Sequence, residues 1–233
     1  MAKRKSSTYM TPGELVAGVI FFVIYLLVLP FVSDPVFDLA GKLLGTTISS
    51  GLRSVIWYYV LFAVTIIIFH RFIPRTSRKA LDAVGSTVKY TALGLVVMYG
   101  LNELVYRLSN LVIANHTNLN DTTISAQVDD APRLTLIIIV LIAPFVEEVL
   151  FRGLVFGNLK GKSLAVGYVL SCLLFALSHV WEFIIVEQSI SQFLLMVKYL
   201  VPGFMLAWVY DRSGTLWTSI ALHAAVNALA IWT

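Results

Sequence analysis

Six side chains in the C-terminal half have the types and spacing for acid–base chemistry, and each stands inside an apolar run. Glu147, Glu148 and Arg152 lie in LIAPFVEEVLFRGLVFG, His179 in LLFALSHVWEF, and His223 with Asn227 in SIALHAAVNALAIW. An ionisable group placed there costs at least about 2.5 to 3.5 kcal/mol, so each calls for a polar reason. On a helix Glu148 and Arg152 are i,i+4 neighbours that can pair, while Glu147 lies about 100° round the same turn and can point elsewhere. His223 and Asn227 are also i,i+4 and share a face. Together the set supplies a general base, two imidazoles and an amide donor from three segments, and it contains no serine with a matching base and no pair of aspartates. A carboxylate and a histidine converging on one water can activate it toward a carbonyl, and His223 with Asn227 can donate to the oxyanion that forms. The competing chemistry makes Glu147, His179 and His223 ligands of a divalent metal, zinc, with a position open for water. HExxH is absent, so the motif does not decide between them.

The elements that must position these groups belong to a chain composed for a bilayer. Its 233 residues carry 17 Lys+Arg and 13 Asp+Glu, or 13% charged, where a soluble domain has about 25%. Hydrophobic residues reach 58% and mean hydropathy is +0.85. That excludes disordered, collagen-like and disulfide-rich secreted classes. A nucleic-acid reading of the pI of 9.2 is excluded too, because the basic residues sit in short loops between apolar runs. Cys172 is the only cysteine, which rules out an intramolecular disulfide, a CxxC redox pair and a multi-cysteine zinc site.

Seven apolar stretches approach the about 20 residues that a span needs. They run from Leu15 to Val32, Val55 to Phe72, Tyr90 to Ile113, Leu134 to Leu154, Ser163 to Val180, Ile190 to Tyr210 and Thr215 to Thr233. The expected fold is all-α, a polytopic transmembrane helix bundle of seven to eight membrane helices, the eighth hidden in Phe31 to Ile48. One integral membrane domain is expected over residues 1–233, with the catalytic core in residues 134–233. The first run follows Lys3, Arg4 and Lys5 like a signal peptide, but it is long and lacks a small-x-small cleavage site, so it reads as a retained helix. Loop charge sets the orientation. With the N-terminus in the cytoplasm, the inner segments hold eleven basic residues: Lys3, Arg4, Lys5, Arg71, Arg75, Arg78, Lys79, Lys89, Lys160, Lys162 and Arg212. The outer ones hold three, Lys42, Arg53 and Arg133. The chain is therefore expected as a multi-pass protein of the plasma membrane. The outer stretch from Ala114 to Arg133 carries two formal sequons, at Asn115 and Asn120, and reads as a solvated loop.

Other polar residues take plainer readings. Glu103 and Arg107, beside Asn102, are at i,i+4 and read as an ion pair rather than the lining of a substrate groove. Lys198 reads as a snorkelling side chain, with contact to a substrate carboxylate as the alternative. Trp181, Trp208, Trp217 and Trp232 sit near span ends, as aromatic belts do. Depth poses a difficulty. At 1.5 Å per residue Glu147 lies about 20 Å below the outer start of its helix, and His179 about 24 Å above the inner start of its own. In a core of about 30 Å these depths differ by more than 10 Å. Agreement requires the His179 helix to begin near Gly167 or outside the hydrocarbon, or Pro144 to break the glutamate helix.

Three motifs occur in order: EExxxR at Glu147, Glu148 and Arg152, FxxxH at Phe175 and His179, and HxxxN at His223 and Asn227. In these the chain resembles the CPBP intramembrane proteases, also called the Abi family, which include type II CAAX prenyl endopeptidases and bacteriocin-processing or immunity proteins. The resemblance spans Leu134 to Trp232. It implies an intramembrane endopeptidase acting on a membrane-associated peptide or protein, whether prenylated, leader or signalling. Glu147 and His179 would activate water, His223 and Asn227 would form the oxyanion site, and Glu148 with Arg152 would hold the first glutamate in place. No cofactor is required in this reading, zinc being the alternative. The partners are the lipid bilayer and the peptide substrate, with no nucleic acid, and the oligomeric state is not read. The family commonly has an eighth membrane helix beyond the seven counted in this sequence. Two other classes compete. A non-enzymatic bacteriocin-immunity or peptide-binding scaffold would hold a membrane peptide without cutting it. A transporter would line a path with these charges, but the inverted repeats that favour one are absent from the sequence.

Overall fold

The computed structural model describes residues 10–112, 118–130, 132–187 and 190–230. Lys3, Arg4, Lys5, the Asn115 sequon and Trp232 lie outside the described residues. Among those described, every regular element is helical, as expected of an all-α polytopic protein. In chain order they are α1 (Pro12–Leu27), α2 (Leu29–Leu44), α3 (Ser50–Ile68), α4 (Phe72–Asp82), α5 (Val84–Val112), α6 (Leu119–Asp130) and α7 (Pro132–Leu159). These are followed by α8 (Leu164–Ser178), α9 (Trp181–Glu187), α10 (Ile190–Leu195), α11 (Val197–Ser213) and α12 (Leu216–Ala230).

Helix length does not yield the expected seven to eight membrane helices. Four described helical stretches are long and apolar enough to cross a bilayer: Ser50–Ile68, Val84–Ser109, Pro132–Leu159 and Phe193–Ser213. α1 and α2 qualify only together, as a pair bent by 72°, which would make five. The bend has a local cause. Pro30 falls in the first turn of α2 and lacks the N–H that would continue the ladder, so the apolar run from Leu15 to Val32 turns at Val28 instead of running straight. α8 and α12 are apolar but have 15 residues each, short of the about 17 to 25 a span uses.

The start of α1 is fixed by a reciprocal cap. The Thr11 hydroxyl accepts from the Glu14 N–H, and Glu14 Oε2 accepts from the Thr11 N–H. Glu14 Oε1 accepts from the N–H groups of Arg71 and Phe72 as well, at 2.9 and 2.7 Å. One buried carboxylate thereby joins α1 to the corner between α3 and α4. α4 is in turn tied to α12, because the Thr76 hydroxyl accepts from the Leu216 N–H and the Ser77 hydroxyl from Trp217 Nε1. Trp217 and the half-buried Trp181 and Trp208 pack against the interior, where Trp208 meets Tyr90 edge-on.

α7 is the axis of the bundle. Two-thirds (67%) of its apolar window is buried, against 11% for α5 and 17% for α3, so α5 and α3 stand at the outside of the bundle. α1, α3, α8, α11 and α12 pack on α7, whose Val146, Val149, Leu150 and Phe151 are fully enclosed. Edge-on ring pairs from Phe151 to Phe22 and to Phe175 join α7 to α1 and α8. Pro144 does not break this helix, contrary to one of the expected ways out of the depth problem. The ladder instead widens to i→i+5 over Ile138–Ile142 and again over Glu148–Phe156, with an α-helical turn, Ala143–Glu147, between them. Such π winding is uncommon and gathers at functional sites.

The depth difficulty disappears once the helix lengths are known. α7 has 28 residues, more than the about 17 to 25 that a span uses, so it exceeds the hydrocarbon core. On either side of the shared turn at residues 160–163, α7 and α8 rise far enough for Glu147 Oε2 and His179 Nε2 to meet at 4.0 Å. α8 starts at Leu164, where the Ser163 hydroxyl caps the Val166 N–H, and not near Gly167. The earlier mismatch arose from assuming that the glutamate helix is only as long as the bilayer core.

Candidate active site

His179 is the residue at which α8 stops. Its N–H bonds back to Ala176 and Leu177, and its ring turns toward α7. Nδ1 lies 2.8 Å from the Phe175 carbonyl. A carbonyl only accepts, so Nδ1 carries the hydrogen and Nε2 presents a lone pair. That Nε2 lies 4.0 Å from Glu147 Oε2. From α12, His223 Nε2 approaches the same oxygen, also at 4.0 Å. Glu147 Oε2 is buried and has no hydrogen-bond partner. Three helices therefore aim one carboxylate oxygen and two ring nitrogens into a single small volume.

The two histidines differ in what lies behind them. His223 Nδ1 is 2.9 Å from Glu148 Oε1, a carboxylate where His179 has a neutral carbonyl. Glu148 therefore fixes the His223 ring through Nδ1, as the Phe175 carbonyl fixes that of His179, so that both rings turn Nε2 toward Glu147. The same Glu148 Oε1 accepts from Arg152 Nη1 at 2.9 Å, both side chains being fully buried. Arg152 Nη2 donates to the Gly203 carbonyl of α11 at 3.1 Å, and its guanidinium lies 4.2 Å from the Phe175 ring centroid. Phe175 also packs on both imidazoles, at 4.6 and 5.8 Å between centroids. A Cβ at Gly203 would meet the Cys172 backbone at 3.2 to 3.3 Å, so glycine permits the close α8–α11 approach that brings this carbonyl to Arg152.

The structure thus brings Glu147, His179, His223, Glu148 and Arg152 into one connected cluster. Asn227 stands one turn beyond His223, and its Nδ2 donates to the Ile139 carbonyl of α7 at 2.9 Å. Sequence reasoning missed Tyr199, which stacks on the His179 ring at 4.5 Å with 26° between planes and donates to Asn118 at 3.3 Å. Nothing in its spacing marks it, since both partners are remote in the chain. Arg107 pairs with Glu103 at 2.6 Å on an open face of α5, with 75% and 48% of the side chains exposed. That is the ion pair expected there and lies apart from the cluster. Lys198 sits 5.8 Å from the Tyr106 ring centroid.

The separations also bear on a metal. Zinc–ligand bonds of about 2.0 to 2.1 Å at a tetrahedral angle place ligand atoms about 3.3 Å apart. The two gaps of 4.0 Å are wider, and zinc would require all three groups to close inward. A water with hydrogen bonds of about 2.8 Å spans the same gap at about 90° with no movement. The side chains as they stand fit a water better than a zinc ion.

Comparisons with known proteins bear on the same segments. Residues 130–229 match the family described as type II CAAX prenyl endopeptidase, Rce1-like, in agreement with the resemblance carried by the three motifs. The chain is 34% identical over 87 residues to the UPF0177 protein YxdF of Lactococcus lactis, covering 37% of this chain and 42% of that protein. It is 23% identical over 185 residues to YdiL of Bacillus subtilis, named as a candidate membrane peptidase, covering 78% of this chain and 71% of that protein. The chain therefore spans less than half the length of the first relative. No solved structure matches it.

Proposed function

We propose that this chain is an intramembrane endopeptidase that hydrolyses a peptide bond of a membrane-associated peptide, with a prenylated CAAX-type peptide as the first substrate suggested by the family matched. One observation carries the reading: Glu147 Oε2, without a partner, faces Nε2 of His179 and Nε2 of His223 at 4.0 Å each.

A water in that gap donates one hydrogen to Glu147 and the other to His179, so its lone pair points out toward a bound carbonyl. Glu147 takes the proton as the water oxygen attacks, and the tetrahedral centre forms with its charge on the former carbonyl oxygen. His223, held at Nδ1 by Glu148, donates from Nε2 to that oxygen, while the amide of Asn227 is engaged with the Ile139 carbonyl of α7. Glu147 then passes its proton to the leaving nitrogen as the C–N bond breaks, which returns the carboxylate for another cycle. Arg152 takes no part in proton transfer. It pairs with Glu148 and so keeps that carboxylate where it orients His223.

The test uses purified protein in detergent with a farnesylated CAAX peptide bearing a fluorophore and quencher, and a membrane-peptide library read by mass spectrometry. Wild type should cleave, whereas Glu147→Gln and His179→Ala should fold normally and leave substrate intact. Wild-type turnover by Glu147→Gln would overturn the assignment of the base.

A further inference from the structure

A backbone carbonyl inside a helix needs a donor, and α7 contains a half-buried one, on Ile139, whose donor in the widened ladder does not exist. Where the ladder is wound i→i+5, Ala143 N–H bonds to Ile138 O. The next rung would join residue 144 to Ile139 O, but residue 144 is proline and has no N–H. The amide of Asn227 occupies that position, with Nδ2 at 2.9 Å from Ile139 O, reaching across from a helix 88 residues later in the chain. Pro144 lies three residues before Glu147, and Asn227 lies four residues after His223. The replacement bond therefore links the turn that carries the carboxylate to the helix that carries the donor histidine.

We infer that Asn227 is a positioning residue that supplies, from α12, the hydrogen bond that Pro144 withholds from α7, and that this bond sets the turn from which Glu147 projects. Its effect on turnover rests on Glu147 being the base, whereas its effect on the helix does not. The arrangement makes Asn227 dependent on Pro144 in a way that a donor to the reacting atoms would not be. Alanine at position 144 restores an N–H and removes the need for the amide.

A double-mutant cycle over Asn227→Ala, Pro144→Ala and the combined variant tests this, read by thermal unfolding in detergent and by cleavage of the farnesylated peptide. Asn227→Ala alone strands the Ile139 carbonyl and should lower Tm by about 2 to 12 °C, with a loss of turnover of about tenfold or more. Pro144→Ala should be tolerated. The combined variant should recover Tm to that of Pro144→Ala and turnover to within about threefold of it, each mutation being coupled to the other through the shared carbonyl. If Asn227→Ala does not accumulate, recovery of folded protein in the combined variant supports the inference, and its failure to accumulate refutes it. Additive losses would overturn it. Recovery of Tm without turnover would overturn the positioning role and leave Asn227 as a direct donor to the oxyanion. Should wild type cleave nothing, the Tm arm still decides whether Asn227 replaces the Pro144 bond, and the protease reading alone falls.

Discussion

Replacing Arg152 by methionine keeps a long side chain in place while removing the cation from a site where both partners are fully buried. Three interactions go: the bond to Glu148 Oε1 at 2.9 Å, the bond to Gly203 O at 3.1 Å, and the contact with the Phe175 ring at 4.2 Å. Removing one partner of a buried pair costs about 3 to 5 kcal/mol, chiefly because the other charge is left uncompensated. Here Glu148 keeps its bond from His223 Nδ1, which places the expected loss at the low end, about 3 kcal/mol. For a chain of this length each kcal/mol shifts Tm by about 2 to 4 °C, so the midpoint should fall by about 6 to 12 °C. Glu147→Gln provides the contrast, because Glu147 Oε2 has no partner to lose and a neutral amide is cheaper to bury. Its Tm should equal or exceed that of wild type. Unfolding followed by far-ultraviolet circular dichroism in one detergent, at matched protein concentration, makes the comparison. If Arg152→Met melted within about 2 °C of wild type while Glu147→Gln melted well below it, the division between a structural pair and an unpaired base would be refuted.

Three further outcomes follow from the same geometry. Purified protein should hold substoichiometric zinc and keep its activity after prolonged chelation; loss of activity with chelator and recovery with zinc would instead make the histidines ligands and Glu147 a ligand or the base on metal-bound water. In a Cys172→Ala background, single cysteines within residues 71–89 should react with an impermeant maleimide only from the cytoplasmic side, and those within residues 118–130 only from outside. Reversed labelling would invert the assigned orientation. Tyr199→Leu should lower kcat by about tenfold while Tyr199→Phe stays near wild type, since the stack on His179 and not the hydroxyl holds the ring; equal losses in both would shift the role to the bond with Asn118.

Hydropathy located all seven apolar segments because lipid-facing and core-facing residues are alike apolar, and that likeness is also why it failed to say how each segment is used. Nothing in the run from Leu15 to Val32 distinguishes a straight span from a pair bent by 72° except Pro30, whose missing N–H takes effect only within a ladder. The Glu148–Arg152 pair was legible because i,i+4 contact is local. The convergence of Glu147 with His179 was carried by the motifs and not by counting depth, because depth depends on how far α7 extends beyond the bilayer core. The different settings of the two histidines rest on what lies behind each Nδ1, a carbonyl one turn back for His179 and a carboxylate 75 residues away for His223. Only the first of these is written in the neighbouring sequence.

The carboxylate of Glu14 also has a consequence for the order of synthesis. Oε2 is satisfied by Thr11 in the helix's own first turn, so α1 can form as soon as it is made. Oε1 has its donors at Arg71 and Phe72, which leave the ribosome about 3 to 11 s later at 5 to 20 residues per second. Until then one oxygen of an ionised group at the membrane entry of α1 must keep its water. The donor set of this carboxylate is therefore complete only when the corner between α3 and α4 has been made and closed onto the start of α1.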